Sequence, residues 1–115
     1  MRVISQDGTI DIPYELSAVT IGHKVDLSKF NINIRSKLLD ERPCIVATYS
    51  TETKAIKAME MLREQYGKLE VMKVLASGTA EYMEKALATD EMIKHYNTYC
   101  DMNVFQFPQD DEIEV

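Results

Sequence analysis

CIVATYSTETKAIKAMEMLREQYG, residues 44–67, decides the fold class, because it changes period part-way along. Cys44 to Tyr49 is a short, continuously apolar, partly β-branched run, which predicts a central strand covered on both faces. From Ser50 the spacing turns helical. Ser50 or Thr51 can serve as N-cap, and Glu52 sits in the first turn, where a negative charge meets the positive end of the helix. Ala55, Met59, Leu62 and Tyr66 form one stripe with Ile56 beside it, while Lys54, Lys57, Glu60 and Glu64 take the polar side. Gly67 stands where a glycine ends a helix, so the expected element is an amphipathic helix over about 51–66. Strand followed directly by helix sets the theme for the rest of the chain.

Upstream, Arg2 to Ser5 reads as a strand, Asp7-Gly8 as a hairpin turn, and Ile10 and Ile12 as its return, limited by Pro13. Val19, Ile21, His23, Val25 and Leu27 alternate strictly across 17–27, and Phe30, Ile32 and Ile34 repeat the alternation over 30–35 with Asn31 and Asn33 on the other face. Downstream, residues 69–75 are β-branched enough for a strand, with helical continuation as the alternative. Residues 79–99 read as helix through Ala80, Met83, Leu87, Met92, Tyr96 and Tyr99. Thr89-Asp90 interrupts that stripe as a possible fresh N-cap, so two shorter helices are the alternative there. Val104-Phe105-Gln106-Phe107 is a short aromatic strand stopped by Pro108. The expected fold is α+β: an N-terminal antiparallel sheet, a central helix, a second helical region and a C-terminal strand, with the helices on one face. A single domain over 1–108 followed by an acidic tail, 109–115, accounts for the 115 residues.

Hydrophobic residues at 45% and charged residues at 28% are the balance of a soluble globular chain. No apolar run approaches the roughly 18 residues of a membrane span. MRVISQDG lacks the apolar core of a secretory signal, so a cytoplasmic protein is expected. The formal charge is −6, of which Asp110, Asp111, Glu112 and Glu114 supply four negatives; residues 1–108 hold thirteen basic and fifteen acidic side chains, a net of −2. So nearly neutral a body argues against duplex nucleic acid as a partner and leaves room for a small anionic ligand held by two or three cations. The tail is expected to be a solvated acidic end.

Few residues point to catalysis. The glycines at 8, 22, 67 and 78 are too scattered for a phosphate loop. Cys44 and Cys100 make no disulfide framework and are read as free thiols. His23 falls on an apolar strand face, and His95 and Cys100 fall on different helix faces, so neither a metal nor a cofactor is expected. The carboxylates at Asp40-Glu41 and Asp90-Glu91 are sequence neighbours, which is the pattern of solvated pairs rather than of an acid–base couple. The protein is not expected to be an enzyme. Seven Met, several on the helices, suit helix packing and self-association.

Three blocks resemble a group of small phage and prophage proteins of Firmicutes: MRVISQDGTIDIPYE at the start, ATYSTETKAIKAMEMLREQYG in the middle and VFQFPQDDEIEV at the end. Together they span about half the chain, and residues 68–102 diverge from the pattern. Within that group the layout is similar to the first-described Thoeris anti-defence family. The resemblance implies a phage anti-defence protein that sequesters a cyclic nucleotide immune signal without chemistry. The signal is a cyclic ADP-ribose isomer or a cyclic oligonucleotide. It also implies a homo-oligomer built on a dimer. For such a ligand the chain offers Arg35, Arg42 and Arg63 for phosphate, Tyr66, Tyr96, Tyr99 or Phe105 for stacking, and Asn97 and Asn103 for base edges. The alternative function is an inhibitor of a bacterial defence or host protein, its acidic tail and surface acting as bait for a basic site.

Overall fold

The computed structural model describes residues 1–23, 29–36, 42–75 and 89–114. The chain is α+β, with two three-stranded sheets and two α-helices among the described residues.

The first sheet begins with β1 (Arg2–Ile4) and β2 (Asp11–Pro13), antiparallel with Val3 opposite Ile12. The Asp7-Gly8 turn forms as expected, and Gly8 takes a φ of 78°, which a side chain would resist. Ser5, almost fully buried, locks the turn. Its Oγ donates to Asp7 Oδ1 at 2.6 Å and accepts the backbone N–H groups of Thr9 and Ile10. Thr9 adds its own N–H and hydroxyl to the same Asp7 oxygen. With those donors on its carboxylate, led by the Ser5 hydroxyl, the Asp7 pKa falls to about 2.

The second sheet is an antiparallel meander of β3 (Ser17–His23), β4 (Phe30–Ser36) and β5 (Cys44–Tyr49), with β4 in the centre. Val25 and Leu27, expected to extend β3, lie outside the described residues. The expectation that β5 is a central strand is corrected: it is an edge. Its unbroken apolar run has a different cause. Ala47 faces Ile32 and Ile45 faces Asn33, so Val46 is an extra, bulged residue. The bulge lets Val46 and Ala47, neighbours in sequence, both be buried, while Ile45 is 53% exposed. Gln6 covers the outer edge of β5. Its N–H donates to the Val46 carbonyl, and its side-chain amide accepts from Thr48 N–H at 3.0 Å and donates to the Thr48 carbonyl at 3.3 Å. The first hairpin is thereby fastened to the second sheet, which also satisfies an edge otherwise open to pairing.

Helix α1 (Glu52–Leu75) starts where the sequence indicates: Thr51 Oγ1 accepts the Lys54 N–H at 3.2 Å. It does not stop near residue 66. Gly67 is mid-helix, and residues 69–75 are helical rather than a strand. A glycine there costs about 1 kcal/mol against alanine. Burial of Leu69 two residues on, and packing of α1 against the second helix, outweigh that local cost. Helix α2 (Asp90–Met102) opens on Thr89, whose Oγ1 accepts the Met92 N–H, so the fresh cap at Thr89-Asp90 is real. The part of the expected 79–99 helix over 79–88 lies outside the described residues. Strand β6 (Val104–Gln106) then pairs in parallel with β1.

The core lies between these layers. Ala55, Ala58 and Leu62 of α1 share one core with Ile32, Ile34, Ala47 and Tyr49 of the second sheet, Val3 and Phe105 of the first sheet, and Phe107 just beyond it. Phe105 and Phe107 are T-packed at 5.2 Å.

The acidic tail, expected to be solvated, packs instead. Tyr49 Oη donates to the Pro108 carbonyl at 2.8 Å. Asp110 accepts from Ser50 N–H at 2.7 Å and from Ser50 Oγ, and Lys54 Nζ reaches both its carboxylate and its carbonyl. A carboxylate placed at the start of a helix is stabilised by the exposed N–H groups there. Ile113 is buried in the core. The composition of the segment is that of a loose end, but one isoleucine and one well-placed aspartate suffice to dock it.

Candidate functional site

The strand NINIRS decides where polar chemistry is presented. Period two sends Ile32 and Ile34 into the core, fully buried, and turns Asn31, Asn33 and Arg35 to the opposite face. Neighbouring strands complete that outer face. Thr20 lies opposite Asn33, and Gly22 and Thr48 lie on either side of Asn31. Thr48 Oγ1 donates to Asn31 Oδ1 at 3.0 Å, which fixes the carboxamide. The Asn33 amide rests over Gly22, where a Cβ would stand only 2.7 Å from Asn33 Nδ2. Asn31 is 5% exposed, yet its Nδ2 has no acceptor among the described residues, and Asn33 and Arg35 make no side-chain hydrogen bond there either. A buried amide with one end satisfied and the other free is costly unless something else meets it. Along this face the side chains grade from a nearly buried Asn31, with only its Nδ2 unmet, through a half-buried Asn33 amide to an exposed Arg35 guanidinium. Arg42 is also exposed and two residues ahead of Cys44, which faces Ile34, so it enters at the end of the sheet that carries Arg35.

Elsewhere a groove of about 450 Å³ lies between α1, α2 and β6. Met61, Met102, Val104 and Phe105 form its apolar lining, and Glu64, Lys68 and Asp101 its charged rim. Gln65 crosses one side, donating to the Met102 and Val104 carbonyls at 2.9 and 2.7 Å. Two carboxylates against one ammonium make this groove unsuited to a phosphate.

The sequence-derived site residues do not converge as a set. Of the nine, Phe105 alone lines the groove, as a buried residue. Tyr66 packs on Tyr14 with ring centroids 4.6 Å apart, and burial raises its hydroxyl pKa, with Glu70 contributing. Tyr99 packs partly buried against the core. Asn97 is exposed on α2, and Asn103 caps that helix while its carbonyl accepts from Arg2 N–H. Arg63 is exposed on α1, which covers the inner face of the sheet, so it cannot reach Arg35 on the outer one. Arg35 and Arg42 share one end of the second sheet. Asn31 and Asn33 are site residues that the alternation of Asn and Arg with core isoleucines signals in the sequence, whereas Thr20, Gly22 and Thr48 join them only through strand pairing.

Among the described residues no three His, Cys, Asp or Glu side chains converge as a metal site. No described helix is long and apolar enough to cross a membrane. No family model matches this chain, and no curated protein or solved structure matches it either.

Proposed function

We propose that the protein binds a small anionic cyclic nucleotide on the outer face of its second sheet and sequesters it without chemistry. The observation that carries this reading is the row Asn31–Asn33–Arg35: Thr48 holds the Asn31 Oδ1, while the Asn31 Nδ2, the Asn33 amide and the Arg35 guanidinium make no side-chain hydrogen bond among the described residues. Such a row matches the two recognition tasks a nucleotide sets. Carboxamides pair with the donor–acceptor edge of a base. A guanidinium, which stays charged at any working pH, grips a phosphate through two parallel N–H donors. Arg42 enters at the same end of the sheet and supplies a second cation. The resemblance to the Thoeris anti-defence family supports a cyclic ADP-ribose isomer or a cyclic oligonucleotide as cargo, in the cytoplasm of an infected bacterium, with the protein working as a homo-oligomer. Holding the ligand intact suits an inhibitory role, because each protein molecule removes signal by mass action rather than by turnover.

The test is thermal unfolding against a panel of cyclic nucleotides and cyclic ADP-ribose isomers. Ligand at a hundred times its dissociation constant adds about 2.7 kcal/mol, a rise of several degrees at this size. The expected result is a rise with one ligand class, lost in Arg35→Ala, with the ligand recovered unchanged after denaturation. Absence of any shift across the panel rejects the reading.

The second reading, an inhibitor that offers acidic bait to a basic protein, is favoured by one feature, the Glu64 and Asp101 rim of the helical groove. Asp110 of the tail is engaged with Ser50 and Lys54, so the groove rather than the tail would present the bait.

A further inference from the structure

Helix α1 breaks a local rule on its outer side. At 100° per residue, Ile56, Glu60, Arg63, Gly67, Glu70, Val71 and Val74 fall within an arc of about 100°. That arc is turned away from the buried stripe of Ala55, Ala58, Leu62 and Leu69. Three of the residues are aliphatic yet exposed: Ile56 at 42%, Val71 at 61% and Val74 at 74%. At the centre stands Gly67, an unfavourable residue for a helix interior, with nothing within 4 Å of where its Cβ would be. No turn, cap or contact among the described residues requires a glycine there. What a glycine on an open helix face does permit is close approach of a second backbone.

We propose that this face is a self-association surface, on which the α1 helices of two copies pair antiparallel about a two-fold axis at Gly67. Charge complementarity names the occupant. Arg63 precedes Gly67 by four residues and Glu70 follows it by three, on the same flank of the stripe. An antiparallel copy therefore sets Arg63 against the partner's Glu70, and symmetry repeats the pair. The same alignment lays Val71 and Val74 along the methylene stems of the partner's Glu60 and Arg63, covering aliphatic surface that one copy leaves wet. A parallel copy would instead oppose like charges at 60, 63 and 70. Arg63 makes no hydrogen bond or ion pair among the described residues, so it is available to a partner. The contact rests on the homo-oligomer of the proposed function, to which it gives an interface, but not on its ligand site, because the outer face of the second sheet lies on the far side of the core from this stripe.

The experiment is sedimentation equilibrium of the full chain across the micromolar range at low and high salt. The wild type is expected to show a concentration-dependent dimer that weakens with salt. Arg63→Glu alone and Glu70→Arg alone are each expected to weaken it about tenfold or more, since each opposes like charges twice. Mixing the two single variants restores both pairs and is expected to recover a heterodimer. Gly67→Leu separates association from folding: it is expected to raise the unfolding temperature of the monomer and to abolish the dimer. A wild type that is monomeric throughout, a dimer indifferent to Arg63→Glu, or a mixture that fails to associate overturns the proposal. None of these outcomes touches the nucleotide test, which reads a different face.

Discussion

Removing residues 109–115 should destabilise the protein far more than trimming a solvated acidic end would. The magnitude follows from Ile113, which is 5% exposed and packs in the core. Truncating a buried isoleucine costs about 2–5 kcal/mol, through lost transfer free energy and the cavity left behind. The Asp110 contacts to Ser50 and Lys54 add less, because they lie near solvent and water can replace them. Domains of this size hold about 5–15 kcal/mol in all. The loss therefore takes a large share and lowers the unfolding temperature by roughly 8–20 °C, at about 4 °C per kcal/mol. Circular dichroism at the helix band during heating measures it directly. Ile113→Ala should reproduce most of the fall, whereas Asp111→Ala, on an exposed residue, should move the midpoint little. A deletion that leaves the midpoint within about 2 °C of wild type would refute the docking of the tail and return it to the role of a free acidic end.

Further outcomes follow from the same contacts. Thr89→Ala removes the cap that accepts Met92 N–H and should cost about 1 kcal/mol, read by chemical denaturation. Gln6→Ala frees the edge of β5 at Val46 and Thr48; hydrogen exchange at the Thr48 amide should accelerate while exchange in α1 stays slow. Asp7 titrates at about 2 in the folded protein against an ordinary 3.8, so its contribution is complete above 3.8 and is lost as pH falls towards 2. Asp7→Asn should therefore be less stable than wild type at neutral pH, with the gap closing over that acid window. Gly22→Ala drives a methyl into the Asn33 amide and should weaken nucleotide binding, measured by calorimetry, without unfolding the sheet.

Much of the architecture was legible because it depends on period and caps. The alternation through β3 and β4, the Asp7-Gly8 turn and the Thr51 and Thr89 caps each express a local preference that the tertiary structure keeps. Where local preference and tertiary packing disagree, packing prevails. Gly67 looks like a helix stop, but Leu69 and the contact with α2 carry the helix through it. The run CIVATY looks like a doubly covered strand, but a bulge at Val46 produces the same hydrophobicity at an edge. The tail looks solvated by composition, and only the single position of Ile113 says otherwise. The candidate site was harder still. Its residues come from three strands, and the free end of a buried amide is a property of neighbours in space. Arginines and tyrosines drew attention by type, although Tyr66 was already packed on Tyr14 and Arg63 faced the wrong side.

The nucleotide site is tested most directly by nuclear magnetic resonance titration with the ligand that gives the largest thermal shift. The side-chain amide signals of Asn31 and Asn33 and the guanidinium signal of Arg35 should move together and saturate, with Gln65 beside the helical groove unchanged. Movement at Gln65 and Val104 with Asn31, Asn33 and Arg35 silent would contradict the assignment and place the binding function in the groove between the helices.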